Sequence, residues 1–151
     1  MAQTLEELVK ELYDAVKSKN KNDALSIANI LEKRAEKENK LQAAKDQLIE
    51  SLVGKKIEYK VTSSLSTIVN SIYYLKEIGV EDIGKVVGKS PQVLGYSIEY
   101  MKRQVNYLKS IGVEDVGKVI EKFPEVLGYS IEYMKEFSAW MLYRKQSKTK
   151  I

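Results

Sequence analysis

The 151-residue sequence contains no cysteine and no histidine. Without cysteine there are no disulfides and no thiol chemistry. Without histidine the commonest metal ligand and the commonest general base are both missing. The usual zinc sites and the Ser-His and Cys-His nucleophile pairs are therefore excluded. No Walker loop and no G-x-G-x-x-G occurs to hold a nucleotide. Carboxylates remain, and the adjacent pairs Glu81-Asp82 and Glu114-Asp115 are the candidates for carboxylate chemistry. Neighbouring helix residues point in different directions, so these pairs read as first-turn acids that favour a helix dipole. The expectation is a non-catalytic protein with no catalytic residue, no metal site and no cofactor.

Long apolar runs are missing too. No window approaches the 18 apolar residues of a membrane span, and no signal peptide is visible. The opening MAQTLEELVKELYD is acidic, whereas a mitochondrial transit peptide is rich in arginine. The expected location is intracellular, in the cytoplasm, with no membrane partner. At 44% hydrophobic and 30% charged residues, the composition fits one soluble domain with or without a helical appendage. Plentiful Lys and Glu beside scarce Met and Gln resemble a thermophile's usage.

What the chain does have is a repeat. VLGYSIEYMK stands at Val93 to Lys102 and again, unchanged, at Val126 to Lys135, an offset of 33. Aligning residues 72–102 with 105–135 gives 23 identities in 31 positions. A unit of this period holds little more than two helices, cannot bury its own apolar face, and must stack on a copy of itself. Ile98, Met101, Val105, Leu108 and Ile111 fall on one helical face, with Ser97 as N-cap and Gly112 as the left-handed C-terminal residue. Ser64 and Gly79 repeat that punctuation around a helix Leu65–Ile78. A shorter helix should run from about Glu114 to Lys122, where Pro124 stops it. Pro124–Leu127 then has room for one tight turn, 3₁₀ in character.

The order long helix, Leu-x-x-x-Gly-Val, acidic pair, Val-Ile, Pro-x-Val-Leu, then Tyr-Ser resembles the repeat of the mitochondrial transcription termination factor (mTERF) family. The resemblance covers roughly Val61 to Tyr143, and its most specific part is the skeleton GVED…P…VLGYS, present twice. It implies an all-α fold of two helices and a 3₁₀ turn per repeat, stacked as a solenoid whose basic groove holds nucleic acid, most often duplex DNA. The high identity between copies fits recent duplication or an engineered repeat.

Three segments are expected: an N-terminal helical hairpin or coiled-coil-like region at 1–60, about two and a half repeats at 61–143, and a basic tail at 144–151. Thr4 and Glu7 read as a capping box before a helix with the stripe Leu5, Leu8, Leu12, Val16. Asp23 is the expected cap of a second helix uninterrupted to Gly54, about 30 residues or ~45 Å long. Its apolar seam Ile27, Leu31, Leu41, Leu48, Leu52 is broken by Arg34, Glu38 and Lys45, which argues against a clean coiled coil. Two arrangements stay open: the two helices fold back as a hairpin, or the second projects and pairs with another chain as a homodimer.

Net charge is +4, and the tail residues Arg144, Lys145, Lys148 and Lys150 alone account for it. Lys76/Lys109, Lys85/Lys118, Lys89/Lys122 and Lys102/Lys135 recur one repeat apart. On the helix after Ser97, Lys102, Asn106 and Lys109 share a polar stripe with Arg103 beside it. The candidate nucleic-acid contacts are thus Lys76, Lys102, Arg103, Lys109, Lys135, Arg144, Lys145, Lys148 and Lys150, acting on phosphates. Copied surface lysines balanced by Glu81/Glu114, Asp82/Asp115 and Glu99/Glu132 are the other reading of this pattern. With only Arg34, Arg103 and Arg144 in the chain, little base reading is expected. Tyr74 and Tyr107 read as core or core-edge residues rather than base-stacking platforms. A helical scaffold for protein partners is the alternative function, and an engineered repeat without a ligand is a third.

Overall fold

In the computed structural model, which describes residues 3–18 and 20–136, Thr4 and Glu7 form the expected capping box. The Thr4 hydroxyl accepts from the Glu7 amide at 3.1 Å, and the Glu7 carboxylate accepts from the Thr4 amide at 3.3 Å. They start α1 (Leu5–Lys17), whose stripe Leu5, Leu8, Leu12 and Val16 is buried, with Val9 added.

The second helix differs from the expectation in two ways. Its cap is Asn20, whose side-chain oxygen accepts from the Asp23 amide at 3.1 Å, so Asp23 lies in the first turn. It also stops at Lys37, giving α2 (Lys21–Lys37) and α3 (Leu41–Val53) in place of one long rod. Asn39 takes a left-handed conformation at φ 55°. The Lys40 amide reaches the Ala35 carbonyl at 2.8 Å and the Asn39 amide reaches Glu36 at 3.2 Å, closing the helix end as a Schellman turn. Asparagine tolerates this conformation better than other residues with a Cβ, so the chain reverses without glycine or proline.

Small residues set how α2 packs. Ala24, Ala28 and Ala35 are buried with Leu31, and α2 lies against both α1 and α4 (Leu65–Glu77). The projecting arrangement is not the one observed. Glu32 and Asn29 of α2 reach the start of α4, accepting from the Leu65 amide and the Ser66 hydroxyl, each at 2.9 Å. A carboxylate at a helix N-terminus satisfies an orphan amide and opposes the dipole.

From α4 onward the repeat is followed closely. Ser64 caps α4, α5 (Ile83–Lys89) follows, and Pro91–Gly95 forms a 3₁₀ turn. Ser97 then caps α6 (Ile98–Ser110), with α7 (Val116–Lys122) and the 3₁₀ turn Pro124–Gly128 behind it. Residues 131–136 are helical and begin a third copy. Met134 there is buried, while Ala139, Trp140 and Met141 lie outside the described residues. Gly79 and Gly112 end α4 and α6 at φ 100° and 95°, in paired Schellman turns closed by Val80 on Leu75 at 3.0 Å and Val113 on Leu108 at 3.1 Å. Asp82 and Asp115 are the N-caps of α5 and α7, so one acid of each pair has a structural task.

Successive units stack. α3 packs on α5 and α5 on α7, α4 on α6, and the two 3₁₀ turns on each other, around one continuous core from Leu5 to Met134. Glycine controls the spacing at two of these contacts. A Cβ on Gly84 would lie 2.4 Å from the Leu52 carbonyl oxygen, and one on Gly117 only 2.3 Å from that of Gly79. The carboxylate of Glu121 ties the same units together. It accepts from the Glu81 amide at 2.7 Å and the Asp82 amide at 2.9 Å, while Lys89 donates to the Glu121 carbonyl at 3.4 Å.

Alanine ordinarily stabilises a helix over glycine by about 1 kcal/mol. Gly117→Ala should instead destabilise the protein by about 1–3 kcal/mol, because the Gly79 backbone must move to admit the methyl group. Urea unfolding of the two proteins measures the sign directly.

Candidate nucleic-acid interface

The amphipathic pattern of α6 decides which side chains it presents. Met101, Gln104, Val105 and Leu108 are buried, which leaves Lys102, Arg103, Asn106 and Lys109 exposed together along the opposite side. Lys135, the counterpart of Lys102 one repeat on, is also exposed. The structure therefore groups Lys102, Arg103 and Lys109 on one helix, with Lys135 at the equivalent place in the next. The Arg103 guanidinium stands 5.8 Å from the centre of the Tyr100 ring, within cation–π range. Among the described residues, ion pairs join Arg34 to Glu38, Lys60 to Asp46 and Lys118 to Asp115. None of them occupies Lys102, Arg103, Lys109 or Lys135, so these charges face solvent without a carboxylate partner.

Lys76 is set apart from its counterpart Lys109. Its ammonium donates to the Val16 carbonyl and, at 3.4 Å, to that of Ser18, and it lies 4.8 Å from the Tyr73 ring centre. It caps the C-terminus of α1, where a cation complements the helix dipole. Burial pulls its pKa below the ordinary lysine value. Beside it the Tyr73 hydroxyl donates to the Ala15 carbonyl at 2.9 Å. The face of α4 that corresponds to the open stripe of α6 is thus closed by α1. The sequence carried the signal: Val69, Asn70 and Tyr73 stand where the next repeat has Lys102, Arg103 and Asn106.

The lysines of the shorter helices are differently placed. Lys118 pairs with its own cap Asp115 at 3.7 Å, and Lys89 bonds the Glu121 carbonyl. These two lysines serve helix ends, in keeping with lysines copied along with the repeat. Arg144, Lys145, Lys148 and Lys150 lie outside the described residues. Tyr74 is buried and Tyr107 half-buried, so these two belong to the core and its edge. A different tyrosine set escaped the sequence reading. Tyr96 with Tyr100 and Tyr129 with Tyr133 form edge-to-face ring pairs at 5.5 and 4.3 Å. Their signal was an i, i+4 tyrosine pair straddling each Ser N-cap.

Among the described residues no group of three or more His, Cys, Asp or Glu is placed to hold a metal ion, and no helix is long and apolar enough to cross a membrane. Stacked helix–helix–3₁₀ units with an unpaired cationic stripe define a helical-repeat protein whose exposed chemistry suits polyanions. The mTERF family model matches residues 52–150, about two thirds of the chain, and the protein belongs to the mTERF family, whose members generally bind nucleic acid. Comparison with curated proteins and with solved structures finds no match.

Lys76→Met keeps the apolar stem and removes the ammonium. It should cost about 1 kcal/mol of stability through the lost bonds at the end of α1. Lys109→Met, at the equivalent position, should leave stability within about 0.5 kcal/mol of the parent. Thermal unfolding of the two variants side by side distinguishes the positions.

Proposed function

We propose that the protein binds double-stranded DNA without catalysis, through mainly backbone-directed electrostatic contacts, in transcription or replication control. The observation that carries this reading is the exposed stripe Lys102, Arg103, Asn106 and Lys109, whose cations join none of the ion pairs among the described residues, continued by Lys135 one repeat further on. Membership of the mTERF family supports nucleic acid as the polyanion. The sequence adds Arg144, Lys145, Lys148 and Lys150 beyond the described residues, four cations with no acid among them. A single arginine on the stripe supplies at most one bidentate guanine contact, so affinity should exceed sequence preference.

The test is fluorescence anisotropy with a labelled random duplex at about 50 and about 200 mM salt. Binding should weaken steeply between the two. Neutralising Lys102, Arg103, Lys109 and Lys135 together to Gln should reduce the log–log salt slope by about 0.9 for each phosphate contact removed. An unchanged slope would take this face out of consideration, and absence of duplex binding at low salt would redirect the search to protein partners.

A further inference from the structure

The first unit of the repeat shows how one unit receives the next. Gly79 closes α4 at φ 100°, and the start of α7 rests on it: a Cβ placed on Gly79 would meet the Gly117 Cα at 3.8 Å. One helical turn along α7, the carboxylate of Glu121 accepts from the amides of Glu81 and Asp82 in the turn that follows Gly79. The Glu121 carbonyl accepts from Lys89. Val80 and Val86 of the same unit are buried.

One repeat on, the same seat is built and left uncovered. Gly112 closes α6 with the same left-handed turn, at φ 95°, but a Cβ there would meet nothing within 4 Å. Among the described residues nothing accepts from the amides of Glu114 and Asp115, the counterparts of Glu81 and Asp82. Lys122, the counterpart of Lys89, is exposed and bonds none of the described residues. Val113 and Val119 stand where Val80 and Val86 are buried, yet they are only half-buried. Each group that α7 engages on the first unit thus has an unengaged equivalent on the second.

The covered unit also defines what fits. The incoming helix needs glycine where it meets the backbone, since a Cβ on Gly117 would lie 2.3 Å from the Gly79 carbonyl oxygen. It also needs a carboxylate one turn later, to reach the two amides. Within the chain, the helix-start glycines Gly84 and Gly117 already rest on Leu52 and Gly79, and residues 129–151 contain no glycine. We propose that the face formed by Gly112, Val113, Glu114, Asp115, Val119 and Lys122 docks the short helix of a second molecule that carries the same type of repeat, joining two stacks end to end. A second copy of this chain has both of its helix-start glycines engaged, so the partner is a different repeat-bearing protein. The contact is heterologous, because the face and the helix it accepts are different surfaces. It uses none of the cationic stripe on α6 and stands apart from the nucleic-acid reading.

The probe is a synthetic peptide with the sequence of residues 111–128, held helical by a side-chain staple between positions 118 and 122, which are exposed on α7. Circular dichroism of the peptide verifies the helix before use. Titrated into isotope-labelled full-length protein, it should bind with a dissociation constant below about 1 mM. It should shift the amide resonances of Gly112, Glu114 and Asp115 and leave those of Gly79, Glu81 and Asp82 in place. Glu121→Gln in the peptide should weaken binding about tenfold, through the lost charge on the amides. Gly117→Val in the peptide should abolish it. No shift at Gly112, Glu114 and Asp115, or equal binding by the valine peptide, would overturn the docking face.

Discussion

The structure depends on how closely one helix start can approach the backbone of the preceding unit. Gly117 rests on Gly79, and Gly84 on Leu52, at separations that leave no room for a methyl group. These contacts fix the distance between α7 and the turn that joins α4 to α5, and between α5 and α3. That distance in turn lets Glu121 reach the amides of Glu81 and Asp82, and sets the two 3₁₀ turns against each other. A wider spacing would leave the orphan amides of α5 without a carboxylate and open voids along the inner faces. The cationic stripe is held in place by the same constraint, since α6 is positioned through the stack.

The 23 shared positions of the repeat specify this stack, and the positions that differ specify its faces. Gly88 and Glu121 are equivalent, yet each suits its neighbour. A Cβ on Gly88 would meet Val53 at 3.1 Å, because α3 passes close by; at 121 the neighbour is the open end of α5, and a glutamate fits. Val69 and Lys102 differ for the same kind of reason. One lies under the N-terminal helices and is buried, and the other faces solvent. The copies share an architecture, and the ends of the stack dictate which side chains suit each one.

Much of this was legible in the sequence. The caps Thr4, Ser64 and Ser97, the left-handed glycines 79 and 112, the 3₁₀ turn after Pro124 and the stripe on α6 all follow from local rules, because each involves residues a few positions apart. The break at Asn39 was not, since asparagine only permits the left-handed turn that glycine would announce. Nor was the packing face of α2, where alanines do the work that a search for Leu and Ile overlooks. Lys76 is the instructive case. Its periodicity is that of a surface lysine, and only the fold places the C-terminus of α1 against it. Long-range contacts with no sequence spacing cannot be read from spacing.

That division also bears on the site. A lysine in this protein is available to phosphate only if neither a helix end nor a carboxylate has claimed it. Lys76, Lys89 and Lys118 are claimed, by α1, by the Glu121 carbonyl and by Asp115. Net charge therefore overstates the free cations along the shorter helices, where Lys89 and Lys118 are already bonded. On α6, Lys102, Arg103 and Lys109 are exposed and join none of the ion pairs among the described residues. Counterion release scales with the phosphates actually neutralised, not with the sum over the chain. A modest +4 protein can on this account show a strong salt dependence, provided its free cations lie on one face, and α6 concentrates three of them there.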